Sequence, residues 1–142
     1  MNIKIVRVDK DLPLPEYHTE GAVAFDLYCR EDATVAPREL AMLPSNFIIQ
    51  VPDGYALIIA ARSGLAKKKS LALRNGIGII DQDYHGPEDE IKILVHNFTD
   101  SPVAVTRGER LAQGLIVPIV KATWEEVSSI KDDSRGGFGA TG

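Results

Sequence analysis

The apolar residues of this chain fall in short runs separated by turn-forming residues, and this spacing is what most restricts its fold. Ala22–Tyr28, Asn46–Val51, Tyr55–Ala61, Ile91–Asn97 and Leu111–Val117 each have the length and β-branched or aromatic content of a strand. Pro52-Asp53-Gly54 is the clearest turn, joining two of these runs closely. At the N-terminus, Ile3 and Ile5 alternate with Asn2 and Lys4 as a strand with one buried face. The pattern then slips to Val6 and Val8 around Arg7, which requires either a bulge or burial on both faces. Only Gly64–Lys69 has helical character, with Ser63 placed to cap it. Many short strands between turns predict an all-β sandwich or barrel.

With 142 residues the chain forms one domain with a core of its own. A single cysteine, Cys29, excludes an intrachain disulfide and points to a reducing, cytoplasmic setting; at the end of an apolar run it is a core residue rather than a nucleophile. The N-terminus lacks the pattern of a signal peptide, and no apolar run is long enough to span a bilayer. A net charge of −4 argues against a nucleic-acid partner, although a few converging arginines could still bind a small anion. Lys67–Lys69 and Glu88-Asp89-Glu90 are expected to be solvated surface charge.

Four segments could carry chemistry. In Asn75–Gly86, Gly76 and Gly78 allow a bent hairpin or a close backbone approach to a flat ligand. If that strand continues, Asp81 and Asp83 share one face, with Gln82 opposite. Arg62-Ser63-Gly64, at the start of the expected helix, could hold an anion. Arg110 and Gln113 open the last strand and could contact phosphate oxygens. The glycine-rich tail Gly136–Gly142 is expected to be mobile; in and beside it, Arg135 suits phosphate and Phe138 suits stacking on a base. His18, His85 and His96 have no metal-ligand spacing, and the zinc-deaminase, Walker and nucleophile-elbow signatures are missing.

Taken in order, Gly21–Leu27, Ala61–Ala66, Asn75–Gly86, Gly108–Gln113 and Arg135–Gly142 resemble the five motifs of the trimeric dUTPase family. The resemblance implies a distorted jelly-roll or β-barrel subunit (the β-clip type) with one short helix. Residues 1–130 would form the barrel and 131–142 a mobile arm closing over an active site of the homotrimer. It implies Mg²⁺-dependent hydrolysis of dUTP to dUMP and pyrophosphate, which supplies dUMP for thymidylate synthesis and keeps uracil out of DNA. By the same resemblance Asp81 is the general base for water attack on the α-phosphorus. Tyr84 packs under the deoxyribose, and Asn75 with the backbone of Ile79, Ile80 and Lys92 reads uracil. Arg62, Ser63, Gly64 and Gln113 hold the phosphates. Arg135 reaches the γ-phosphate, and Phe138 and Gly139 in the arm cover the base. Asp26 holds waters around a Mg²⁺ that the triphosphate itself coordinates, so no residue binds the metal directly. Two alternatives are a dCTP deaminase of the related fold and a non-catalytic nucleotide-binding module. The chain departs from the family pattern at Ala61, where proline is usual, and in the longer stretch Pro87–Glu90. The spacer between Arg135 and Phe138 is also short.

Overall fold

The computed structural model describes residues 1–131, 133, 134 and 136. Eleven strands and one five-residue helix make up its regular structure, as the short apolar runs require. The larger sheet orders β2 (Phe25–Tyr28), β11 (Arg110–Pro118), β6 (Tyr55–Ala61) and β8 (Ile77–Ile80) side by side. A second sheet sets β4 (Leu40–Pro44) and β7 (Leu71–Leu73) on either side of β9 (Lys92–Asn97). Two strand pairs complete the subunit: β1 (Ile5–Arg7) with β5 (Phe47–Ile49), and β3 (Ala33–Val35) with β10 (Val103–Val105). All pairings are antiparallel and most join strands distant in sequence, which makes the fold an all-β distorted jelly roll.

The core lies between the sheets, where Leu27, Phe47, Leu57, Leu71, Ile93 and Leu111 are fully buried. In β9, Ile93, Val95 and Asn97 point inward while the residues between them are more exposed. Buried Asn97 ties the short β3–β10 pair to its surroundings. Its Nδ2 donates to the carbonyls of Val35, Ala36 and Ser101, and its Oδ1 accepts from Thr99. Cys29 is buried in the core, as expected, and burial pushes its thiol up from the ordinary range.

Several expectations need correction. The N-terminal alternation does not slip: Val6 and Val8 stay exposed, and Arg7 turns inward to donate to the carbonyls of Lys10 and Leu12. The helix, α1 (Leu65–Lys69), has Gly64 at its N-cap position, with no side-chain cap from Ser63. A backbone hydrogen bond from Leu65 N–H to the Arg62 carbonyl closes that turn instead. Strand β8 stops at Ile80 and a turn follows at Gln82-Asp83, so Asp81 and Asp83 do not share a strand face. Finally, neither charge run is simply solvated. Lys69 pairs with Glu109 and donates to the Ala104 carbonyl. Glu90 is only 6% exposed, and its carboxylate accepts from Arg30, from Lys92 Nζ and from the buried Asn46 N–H. Lys67, Lys68 and Glu88 stay exposed as expected, whereas Lys69 and Glu90 are neutralised, each by at least one residue remote in sequence.

From Ile119 to Lys131 the chain has no regular structure, and Val120, Trp124 and Ile130 stand almost wholly in solvent. Among the described residues no helix is long and apolar enough to cross a membrane.

Candidate functional site

Three adjacent strands build a cationic cleft at one end of the larger sheet. Asp26 on β2 is the register partner of Gln113 on β11, and Gln113 of Ala60 on β6, so one row of side chains runs from Asp26 towards Arg62. In a regular strand Arg110 and Gln113, three residues apart, would face opposite ways. The register of β11 against β2 shifts between Arg110 and Ala112, and this bulge returns Arg110 to the face that carries Asp26. Asp26 is 5% exposed and holds both arginines: Oδ1 forms an ion pair with Arg62 Nε at 2.8 Å, and Oδ2 accepts from Arg110 Nη1 at 3.1 Å. His18 Nε2 lies 2.8 Å from the same Oδ2 and 2.8 Å from Arg110 Nη1. Gln113 Nε2 donates to the Ala61 carbonyl at 3.0 Å.

These residues border a cleft of about 600 Å³ lined by Arg62, Ser63, Gly64, the three lysines of α1 and Arg110. Glu109 is the one acidic side chain lining it, and Lys69 already neutralises that carboxylate. Among the described residues Ser63 Oγ has no hydrogen-bond partner, because the helix begins one residue later than the sequence suggested. A cleft of this charge with free hydroxyl and guanidinium donors suits a polyphosphate.

The second group of candidates gathers on β8 and β9. Asn75, Ile79, Ile80 and Lys92 line one cavity of about 150 Å³, together with Ile59, Leu73, Gly78, Ile93 and Leu94. Gly78 packs closely, since a Cβ there would lie 3.2 Å from Ile59 Cβ across the strand pair and would press that side chain aside by a few tenths of an ångström. Small, with backbone polar groups beside apolar side chains and the Asn75 amide at its wall, this slot suits the edge of a flat heterocycle. Asp81 follows at once, exposed, and its carboxylate forms no hydrogen bond or ion pair among the described residues. Tyr84 is partly exposed beyond the turn, and its N–H donates to the Asp81 carbonyl at 3.3 Å.

The two groups are not brought together within one subunit. Because β8 runs antiparallel to β6, Ile80 pairs with Leu57 near the start of β6, whereas Arg62 lies just past its end. Asp81, one residue past Ile80, is therefore level with Ala56, and six residues at about 3.3 Å each put it about 20 Å along the sheet from Arg62. Arg135, Phe138 and Gly139 lie outside the described residues.

The sequence alone did not reveal His18, the clamp that Asp26 forms on two arginines, or the bulge that aims Arg110. Each depends on pairing between β2 and β11, whose residues are more than eighty positions apart, and nothing local in the sequence announces such a register.

The family model described as dUTPase matches residues 10–142. The chain is 39% identical to the deoxyuridine 5'-triphosphate nucleotidohydrolase of Hydrogenobaculum sp., over 100% of this chain and 99% of that protein. Its identity to the protein of the same name from Thermobifida fusca is 41%, over 100% of this chain and 79% of that one. Its fold is similar to the crystal structure of the dUTPase from Streptococcus mutans, with a TM-score of 0.79 and 28% identity over 87% of this chain and 100% of that one.

Proposed function

This chain belongs to the dUTPase family and hydrolyses dUTP to dUMP and pyrophosphate, and from that premise we propose that Asp81 is its general base, working in a site shared between subunits. The observation that carries the shared-site reading is the separation of about 20 Å between the Asp81 turn and the Arg62 cleft along β6. A base and a phosphate cradle that far apart cannot act on one α-phosphorus, but a neighbouring copy can supply the missing half. A homotrimer with three such sites satisfies this requirement for every copy.

In that site Asn75 and the backbone of Ile79, Ile80 and Lys92 read the uracil edge, and the narrow slot rejects a base with an added methyl or an altered edge. Tyr84 packs under the deoxyribose and leaves no room for a 2′-hydroxyl. Arg62, Ser63, Gly64 and Gln113 from the other subunit hold the phosphates. Asp81 orients a water and takes its proton as the oxygen attacks the α-phosphorus, and pyrophosphate leaves from the opposite side. Such a reaction is governed by positioning and charge neutralisation, and a well-placed base typically adds about 10²–10⁴-fold. Residues 131–142 act as an arm over the site, with Arg135 on the γ-phosphate and Phe138 and Gly139 over the base. The product dUMP feeds thymidylate synthesis, and removal of dUTP keeps uracil out of DNA.

The described residues contain no cluster of three His, Cys, Asp or Glu side chains able to hold a metal. Asp26 Oδ1 pairs with Arg62 and Oδ2 with Arg110, and the carboxylate has further lone pairs for the waters around a Mg²⁺. In this reading the triphosphate carries the Mg²⁺, and Asp26 both orients the two arginines and holds waters of that ion. The unpaired, buried Cys29 supports work in a reducing compartment such as the cytoplasm.

The purified protein with Mg²⁺ should release pyrophosphate from dUTP and spare dCTP, dTTP and UTP. Asp81→Asn should still bind dUTP and lose most turnover. Ammonia release from dCTP would instead indicate the deaminase, and unchanged turnover in Asp81→Asn would remove Asp81 from its role.

A further inference from the structure

The Asp81 carboxylate has no side-chain partner to aim it among the described residues, so its position depends on the turn that carries it. Two short backbone contacts shape that turn: Tyr84 N–H to the Asp81 carbonyl at 3.3 Å and His85 N–H to the Asp83 carbonyl at 3.1 Å. Both lie inside the turn and neither ties it to the rest of the subunit. The tie is Gln82. Its Nε2 donates to the carbonyls of Pro52, at 3.3 Å, and Tyr55, at 3.0 Å, across the turn that opens β6. Its Oε1 accepts from Lys121 Nζ at 2.9 Å. Lys121 stands just past β11, where Ile119 N–H donates to the Gly54 carbonyl and fastens the outgoing chain to the same turn.

We propose that Gln82 is a positioning residue for the hydrolysis. Its amide anchors the Asp81 turn to the Pro52–Tyr55 turn and, through Lys121, to the root of the C-terminal segment. The proposal rests on the reading of Asp81 as general base and extends it by assigning what holds that base in place. The amide suits the task because it needs both polarities at once: two backbone carbonyls require donors, and an ammonium requires an acceptor. Glutamate would keep the Lys121 contact and turn its charge towards two carbonyl oxygens. Methionine would keep the length and lose all three hydrogen bonds. A base displaced by about 1 Å loses on the order of 10²-fold in rate, whereas of the binding groups only Tyr84 shares its turn, the uracil slot and the phosphate cleft lying on other residues.

The test is steady-state kinetics of the full-length protein with Mg²⁺ and dUTP, comparing Gln82→Met, Gln82→Glu and Lys121→Met with the parent. Binding of the non-hydrolysable imido analogue and thermal unfolding are measured alongside. The expected result is a fall in kcat of roughly 10- to 100-fold in both Gln82 variants, with KM and analogue binding changed less than about threefold through Tyr84 and melting temperature nearly unchanged. Lys121→Met, which removes one of the three contacts, should lose less. Unchanged kcat in Gln82→Met would overturn the proposal. So would a parallel loss of kcat, analogue binding and melting temperature, since that is the signature of general structural damage. Asp81→Asn, run in parallel, separates the two readings: full turnover there removes the base itself, whereas loss there with an intact Gln82→Met removes only the anchor.

Discussion

Replacing Glu90 with alanine should destabilise the subunit by about 3 kcal/mol, and the structure shows where that figure comes from. Glu90 is 6% exposed and accepts hydrogen bonds from Arg30 Nε and Nη2, from Lys92 Nζ and from the Asn46 N–H. Removing one partner of a buried ion pair commonly costs about 3–5 kcal/mol, because the remaining charge stays desolvated. Here the two cations are only partly covered, with side chains 26% and 36% exposed, so water can recover some of that loss. The Asn46 N–H is buried and loses its acceptor outright, adding about 1–3 kcal/mol. A net value near 3 kcal/mol corresponds to a fall of about 9 °C in melting temperature for a chain of this length.

The effect should also depend on pH. Burial raises the pKa of Glu90, but hydrogen bonds from Arg30, Lys92 and Asn46 outweigh it and hold the carboxyl below its ordinary 4.5. A depressed carboxylate pKa means that this stability is present above the unfolded value and disappears as pH falls through the folded one. Thermal unfolding followed by circular dichroism at fixed protomer concentration, from pH 7 to below pH 4, provides the comparison. The gap between parent and Glu90→Ala should be widest near neutrality and close in acid. A gap below about 3 °C at pH 7, or one that does not change with pH, would show that the ionised carboxylate is not what holds this corner together.

Two further substitutions address the sheet and the cleft. Gly114 lies in β11 between β2 and β6, and a Cβ there would sit 2.6 Å from Phe25 Cζ and 3.1 Å from Leu57 Cδ1. Gly114→Ala should therefore cost about 1–3 kcal/mol by overpacking, and an unchanged denaturant midpoint would refute it. Asp26→Asn removes the charge that holds Arg62 and Arg110, so KM for dUTP should rise roughly tenfold with a smaller change in kcat. A lowered KM would mean that the carboxylate mainly repels phosphate.

What could be read from the sequence divides along physical lines. Tyr55–Ala61 is a strand with the expected bounds, because a continuous apolar run between turn residues carries its own signal. Leu111–Val117 and Ile91–Asn97 were legible for the same reason, to within one residue at either end. Ala33–Val35, Leu40–Pro44, Leu71–Leu73 and Val103–Val105 gave no such signal. Runs this short have no period, and β3 and β10 are strands only because each finds the other some seventy residues away. In the candidate site, Asn75, Ile79, Ile80 and Lys92 do meet around one slot. By contrast, Glu90 was assigned to the surface because the partners that make its burial tolerable, above all Arg30, are invisible in its neighbourhood.

The segment that leaves β11 also makes the molecule its own indicator. Trp124 is the sole tryptophan of the chain and stands 93% exposed in the single subunit. A lone indole in water emits at long wavelength, and a neighbour that covers it shifts the emission to the blue. Dilution, a change in salt or the arrival of nucleotide can therefore be followed by intrinsic fluorescence without a label, and the colour of one ring reports whether that stretch lies bare or against another copy.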